Sequence, residues 1–494
     1  MVEDFIKEKI TESLPFVPND EQKECIGLLA NLYTDRHAAP CFLLKGYAGT
    51  GKTSIVSAMV KAMTDLRLDT VLLAPTGRAA KVLSSYAAHE ASSIHKKIYR
   101  QKSASDYKFV LDFNKHRNTL FIVDEASMIG NTSGDANIFG SGRLLDDLIE
   151  YIYSGINCRM ILLGDTAQLL PVGQSFSPAL DRRYLESMSL HVTEYTLRDV
   201  VRQAADSGIL SNATHIRRII DMPKYSHPQL SVDFDDVDAV AASDVVEAVE
   251  HSYDVAGIEN TIVITRSNKR ANQFNDAIRS RILQREERIA RGDLVMVIKN
   301  NYFWAERYSG IDFIANGDIA EIVRIRRYRE MYGFRFVEVS MRLVDYDQEI
   351  DCLVLVDSLD APTPSDNDAI GRKLFEEVEK DYSHIGNKRT RYIEMRRNEY
   401  LNAIQIKFAY AITCHKSQGG QWRHVYVDTG YLTEPMLGKE FLQWLYTATT
   451  RCREQLFLVD FSRRFIAGLA VSNTDSKGIE CKKQMVCQKK GHTL

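Results

Sequence analysis

The chain has 494 residues, 45% of them hydrophobic and 26% charged, with a formal net charge of −3 and a pI near 6.5. That is ordinary globular composition with room for two or more domains, and it excludes attachment to nucleic acid by bulk charge, so any such site must be a local basic groove. No apolar run approaches the ~18 to 20 residues of a membrane span, and the first residues, with Glu3, Asp4, Lys7 and Glu8, lack a signal-peptide profile. The expectation is a cytoplasmic chain with no membrane partner, whose scattered cysteines (25, 41, 158, 352, 414, 452, 481 and 487) are reduced thiols and not a disulfide framework.

Taken in chain order, the first element is the apolar run Cys41 to Leu44, a buried parallel strand, followed by Gly46-Tyr47-Ala48-Gly49-Thr50-Gly51-Lys52-Thr53. Helical spacing of Ile55, Met59 and Met63 then marks Ser54 to Met63 as a helix. A glycine-rich turn between strand and helix, closed by Lys-Thr, is a phosphate-cradling loop. Its backbone N–H groups wrap phosphates, Lys52 reaches the β- and γ-phosphates, and the Thr53 hydroxyl binds Mg²⁺. Nucleotide hydrolysis is therefore the starting hypothesis.

Strands follow at Val71 to Ala74, Leu120 to Val123 and Met160 to Leu163, alternating with helical patterns, as in a doubly wound parallel sheet. Ligands of such sheets bind beyond the carboxyl ends of the strands. There stand Asp124-Glu125, the first suited to hold Mg²⁺ and the second to orient or deprotonate water, and Gln168, an amide able to touch a γ-phosphate. Between these strands, Gln101 to Arg117 alternates like a hairpin around Phe109, Leu111 and Phe113, and Gly130 to Gly142 reads as a mobile loop.

A second α/β pattern begins near Ser207, with strands at Thr261 to Thr265, Gln405 to Thr413, Val425 to Asp428 and Leu456 to Val459. It is interrupted from about Gly292 to Tyr400 by short alternating runs and turn pairs such as Asn316-Gly317, read as a β-rich insertion. The densely charged Asp366 to Arg397 is helical and solvated. In the Lys-rich tail, Cys481, Cys487 and His492 fit no common zinc pattern. Arg202 and Arg451 are cations of the kind that stabilise phosphoryl-transfer charge, although composition alone does not separate them from other arginines.

From Gln22 to Asp460 the sequence resembles a superfamily 1 helicase, specifically the RecD/Dda-like 5′→3′ branch of superfamily 1B. Pro18-Asn19-Asp20-Glu21-Gln22 is similar to the adenine-reading Q motif, Ala74-Pro75-Thr76-Gly77-Arg78-Ala79-Ala80 to motif Ia, Ser93-Ile94-His95 to the next DNA-contact element, and Asp124 to Met128 to motif II. Gly164 to Gly173 resembles motif III, Val201-Arg202-Gln203 motif IV, Ile412 to Gly419 motif V and Tyr446 to Arg453 motif VI. Leu170 stands where the family usually has a proline, and Gly420-Gln421 where many members carry Ser-Glu.

The resemblance implies an α/β fold of two RecA-like P-loop NTPase lobes with parallel sheets, a small hairpin insertion and an SH3-like β insertion. Residues 1–205 are expected to form lobe 1A, with the hairpin at 97–118; 206–290 and 405–470 form lobe 2A; 291–404 form the inserted 2B domain; and 471–494 are a basic tail. Lys52, Glu125, Gln168, Arg202 and Arg451 are the implied catalytic set, and Thr53 and Asp124 the Mg²⁺ ligands. ATP is expected on Gln22, Gly46, Ala48, Gly49, Thr50, Gly51, Lys52, Thr53, Ser54 and Gly419, and DNA on Pro75, Thr76, Gly77, Arg78, His95, Thr413, His415, Lys416 and Gln418. The implied partners are single-stranded and tailed or forked duplex DNA, with RNA a further candidate, engaged by a monomer. The rival readings are a 3′→5′ helicase, a translocase without strong unwinding, a non-catalytic binding module and an unrelated P-loop kinase. Phe109 or Phe113, at the hairpin tip, is the candidate wedge, and core packing of those phenylalanines is the alternative of at least equal weight.

Overall fold

The computed structural model describes residues 2–103, 106–131, 139–200, 206–222, 225–308, 311, 313–345 and 347–467. Described residues within 1–202, 288–409 and 418–420 form one compact unit, and those within 203–287, 410–417 and 421–494 a second.

The first unit is built on β1 (Pro40–Gly46), β2 (Thr70–Ala74), β3 (Ala91–Ser93), β6 (Leu120–Val123), β7 (Arg159–Gly164) and β8 (His191–Leu197). They pair in the order β3-β2-β6-β7-β1-β8, every neighbour parallel. β6 is buried at every position, as are β7 and all of β1 except Lys45, because helices cover both faces of the sheet. α2 (Asp20–Thr34) begins with a reciprocal capping box between Asn19 and Gln22 and buries Cys25, Ile26, Leu29 and Leu32 in one core layer with α3 (Lys52–Asp65). Burial of each such aliphatic side chain is worth about 1.5–3 kcal/mol.

The hairpin of β4 (Tyr99–Ser103) and β5 (Asp106–Leu111) and a closed barrel also belong to this unit. The barrel strands are β11 (Leu294–Val297), β12 (Ile319–Met331), β13 (Phe334–Leu343), β14 (Gln348–Leu355) and β15 (Ile404–Phe408). All its pairs are antiparallel except β14 with β15.

In the second unit β9 (Val237–Val240), β10 (Thr261–Thr265), β16 (Ala411–Thr413), β17 (Trp422–Asp428) and β18 (Cys452–Val459) form a parallel sheet in the order β16-β10-β17-β18-β9. The fold is thus two parallel α/β sheets with a small barrel inserted. One expected strand divides: Gln405 to Thr413 is two strands, the first closing the barrel on β11 and the second pairing with β10. No glycine, proline or polar pair marks the break at Ala409-Tyr410.

Candidate nucleotide site and strand-binding residues

Residues 47–51 carry the chain from β1 into α3 with Gly49 at φ +76° and Gly51 at φ +89°, conformations in which a Cβ is strained. Gly51 is the N-cap of α3 and provides no side chain to it, so the first N–H groups of a long helix face the loop, a donor set that fits phosphate. Lys52 lies back over the loop: its Nζ donates to the Gly46 carbonyl and, at 2.9 Å, to that of Tyr47. A Cβ on Gly46 would come within 2.9 Å of the Lys52 stem, so glycine there is a packing requirement. Thr50 is buried and donates to the Tyr47 carbonyl at 2.8 Å, Ala48 and Ser54 are half-buried, and Thr53 is exposed at the start of α3.

Gln22 sits within this frame. Its Nε2 donates to the Thr50 carbonyl at 3.1 Å and its Oε1 accepts from the Asn19 N–H at 3.1 Å. Both ends of the amide therefore brace the loop against α2.

β6, β7 and β1 are adjacent, in a register that pairs Val123 with Leu162 and Leu44 with Leu163, so their carboxyl ends release the chain side by side. The loop with Lys52 follows β1, Asp124-Glu125 follows β6, and Gln168 follows β7. Asp124 Oδ1 accepts from the Glu125 N–H at 2.8 Å, and Oδ2 accepts from the Tyr86 hydroxyl. Burial and the neighbouring Glu125 charge raise the Asp124 pKa, while the Tyr86 bond and the Lys52 charge oppose the rise. A half-buried carboxylate near a lysine, with the Thr53 hydroxyl on the adjacent helix, is a donor set that suits Mg²⁺. Glu125 is held at φ +51°, an uncommon conformation for a non-glycine residue of the kind that collects at functional sites. Gln168 is 7% exposed in a turn where Asp165 Oδ1 accepts from the Ala167 N–H at 2.9 Å.

Among the residues expected to bind a strand, Thr76 caps α4 (Gly77–Ala87) by accepting from the Ala79 N–H at 3.1 Å; Pro75 precedes it half-buried and Gly77 is buried. Arg78 is half-buried and faces Asp345 in the β13–β14 turn; burial lowers its pKa and the Asp345 charge opposes that. Neighbouring Lys81 donates to the Val344 carbonyl, so α4 is tied to the barrel through both cations. His95 lies among the rings of Tyr99, Phe139 and Phe313, and burial pushes its pKa down to about 4, leaving it neutral. Gln418 Nε2 donates to the Leu169 carbonyl at 3.2 Å. Gly419, expected at the nucleotide, instead rests on α4: a Cβ there would approach Ala79 Cβ to 2.7 Å and Thr76 Oγ1 to 3.2 Å.

Thr413, His415 and Lys416 lie in the second unit, Thr413 paired with Thr265 at the end of β16 and the other two exposed just beyond it. Arg451 is also there, 3% exposed, with Nε donating to the Thr447 carbonyl at 3.3 Å. Arg202 lies outside the described residues, as do the cysteines and histidine of the tail and most of the loop from Gly130 to Gly142.

The wedge expectation needs correction. Phe109 is in β5 opposite Gln101 and buried against Phe139, Tyr302 and Phe313, while Phe113 follows β5 at the base of the hairpin, exposed, with Arg100 over its ring. Neither stands at the tip. Alternation reveals a hairpin but not the apolar surface that one face of it meets. Tyr86, Asp345, Tyr302 and Phe313 were missed because each acts on a residue distant in sequence.

Residues 19–219 match the family model described as an AAA domain, and residues 408–459 that of the UvrD-like helicase C-terminal domain. The chain is similar to the ATP-dependent RecD2 DNA helicase of Deinococcus radiodurans, 23% identical over 84% of this chain and 46% of that one. It is also similar to the ATP-dependent DNA helicase dda of enterobacteria phage T4, 24% identical over 51% of this chain and 55% of that one. The chain thus spans about half the length of these two relatives. A crystal structure of Pif1 helicase from Bacteroides with ADP-AlF3 and single-stranded DNA aligns over 96% of this chain and 97% of that chain, at 14% identity and a TM-score of 0.45.

Proposed function

We propose, for a chain that belongs to the RecD/Dda-like superfamily 1B helicases, that it hydrolyses Mg-ATP to move 5′→3′ along single-stranded DNA and separate duplex DNA ahead of it. The observation that carries the reading is the delivery of Lys52, Asp124-Glu125 and Gln168 from three adjacent strand ends to one edge of one sheet. The ATP-dependent DNA helicase activity of the RecD2 and dda relatives supports the step from ATP hydrolysis to DNA unwinding.

In this reading the loop N–H groups and Lys52 hold the phosphates, Glu125 orients the attacking water, and Gln168 reports the γ-phosphate to the chain that follows it. Thr53 and Asp124 would hold Mg²⁺, which would supply positive charge against the phosphate oxygens. Arg202 and Arg451 are the proposed cations that complete this neutralisation. Thr76, Arg78, His95, Gln418, Thr413, His415 and Lys416 are the proposed strand contacts. The fixed Thr76 and Gln418, already bonded within the protein, contribute backbone shape as much as free donors. Strand binding of this type is sequence-tolerant and weakened by salt. Forked and tailed duplexes are the proposed substrates, acted on by a monomer in the cytoplasm. Among the described residues no helix is long and apolar enough to cross a membrane.

The test is ATP-dependent unwinding of one duplex bearing either a 5′ or a 3′ single-stranded tail, with Lys52→Ala as control. Separation from the 5′ tail alone is expected. Separation from the 3′ tail alone would overturn the polarity, and ATP turnover stimulated by DNA without separation would leave a translocase.

A further inference from the structure

At the opposite end of the strands from the phosphate loop, where β1 and β8 begin, Asp35, His37 and His191 converge. Asp35 is the C-cap of α2, and its N–H donates to the Asn31 carbonyl at 3.0 Å. Its Oδ1 accepts from the His37 N–H at 2.9 Å and lies 2.6 Å from His37 Nδ1, while Oδ2 lies 3.1 Å from His191 Nδ1. The two imidazoles stack with centroids 3.5 Å apart and planes 16° from parallel. One ligand atom from each of the three residues falls within 4.8 Å of the others. The carboxylate is 14% exposed and the rings 60% and 47%, so an anion inside is covered by two rings open to solvent.

The frame around this cluster is fixed. His191 is the first residue of β8, in register with Pro40, and its N–H donates to the Ala39 carbonyl at 2.9 Å. The Asp35 carbonyl accepts from Arg159 Nη2 at 3.2 Å, joining the cluster to β7. His37 lies on the short connection between α2 and β1 with its ring 60% exposed.

Two imidazoles and a carboxylate are the donor set of borderline divalent cations such as Zn²⁺, with bonds near 2.0–2.2 Å. Each carboxylate oxygen of Asp35 faces one ring, so the three side chains turn a donor atom towards one another. A single dication on both rings and the carboxylate would gain three bonds and leave a position for water.

We propose that Asp35, His37 and His191 form a binding site for a Zn²⁺-class divalent metal ion. Bound there, the ion fastens the α2–β1 connection to the edge strand β8. It thereby stabilises the frame from which Asn19 and Gln22 brace the phosphate loop. The role is structural, independent of the proposed helicase activity, and adds stability because the unfolded chain does not present the three ligands together.

The test uses the full-length, untagged, chelator-treated protein titrated with CoCl2. The expected result is the visible absorption of tetrahedral Co²⁺ saturating at one ion per chain, bleached by ZnCl2, with a Zn²⁺-dependent rise in melting temperature. The double variant His37→Ala/His191→Ala should lose both signals, weakening Zn²⁺ binding by more than about 100-fold, beyond what loss of an outer-shell partner costs. His37→Gln, which keeps ring-sized bulk at an exposed position, gives the same comparison should the double variant melt early in chelator. No Co²⁺ band, or an unchanged band and Zn²⁺ response in both variants, would overturn the proposal.

Discussion

The Tyr86 hydroxyl, carried on α4, donates to Asp124 Oδ2 at the end of β6, and Ser57 on α3 donates to the Tyr86 carbonyl at 2.9 Å. The helix that carries Arg78 is therefore in direct contact with the carboxylate proposed to hold Mg²⁺, and the Asp124 charge and bond push the Tyr86 hydroxyl further from ionisation, after burial, the main cause. Tyr86→Phe leaves that carboxylate one donor short, at a cost of about 1–3 kcal/mol for a buried acceptor. The expected outcome is a several-fold change in the Mg²⁺ concentration giving half-maximal ATPase, with nucleotide binding in chelator unaltered. An identical Mg²⁺ profile would show that the tyrosine only packs.

Lys52→Ala removes the only side-chain cation of the phosphate loop. Turnover should fall by about a hundred- to a thousandfold or more, the scale of losing one aimed charge in a preorganised site. Binding of a fluorescent single strand should persist. Retained turnover would remove the loop from the mechanism.

Arg78 offers a choice between two roles. If its main duty is to balance Asp345, Arg78→Ala should destabilise the first unit by about 3 kcal/mol, the usual cost of stranding one partner of a buried pair. Asp345→Asn should then restore most of the loss in the double variant. If it grips phosphate, stability should hold while the slope of log affinity against log salt for a single strand shrinks by about 0.7, one contact's share. Chemical denaturation and salt titration of the same variants decide between them.

Acid should loosen the ring cluster of the hairpin. His95 has a folded pKa of about 4 against an ordinary value of 6.5, so the unfolded state takes up a proton first. Its contribution is complete above about pH 6.5 and is lost as pH falls towards 4. Asp318, raised to about 7 by burial, has the opposite sign, its contribution disappearing as pH climbs from 3.8 through 7. Subtracting the stability profile of His95→Phe from that of the parent isolates the first effect, and a flat difference between pH 6.5 and 4 would refute it.

Legibility followed sequence distance. The phosphate loop could be read because all its parts are contiguous, and Asp124 and Gln168 because each directly follows an apolar strand. The barrel was visible in its alternation and turn pairs, yet its closing strand was hidden, since Ile404–Phe408 runs into Ala411–Thr413 with no turn residue to part them. Between tip and core packing for Phe109 the alternation does not choose, because a period of two says which residues share a face, not what covers it; the structure packs it among rings. Tyr86 on Asp124, Asp345 on Arg78 and His191 on Asp35 join positions far apart in the chain. Only the fold brings them together.

The strand order also dictates a timetable of synthesis. Every strand of the first sheet lies before residue 198, so that sheet can be completed as soon as β8 leaves the ribosome. β9 and β10 must wait for β16, β17 and β18, and the barrel, opened at Leu294, stays unsealed until Ile404–Phe408 arrives. Its β14–β15 seam rests on only two matched pairs, Val354 with Ile404 and Leu355 with Gln405. A nascent chain stalled between residues 200 and 400 would thus display a finished phosphate loop beside unpaired strand edges, the form most in need of a chaperone.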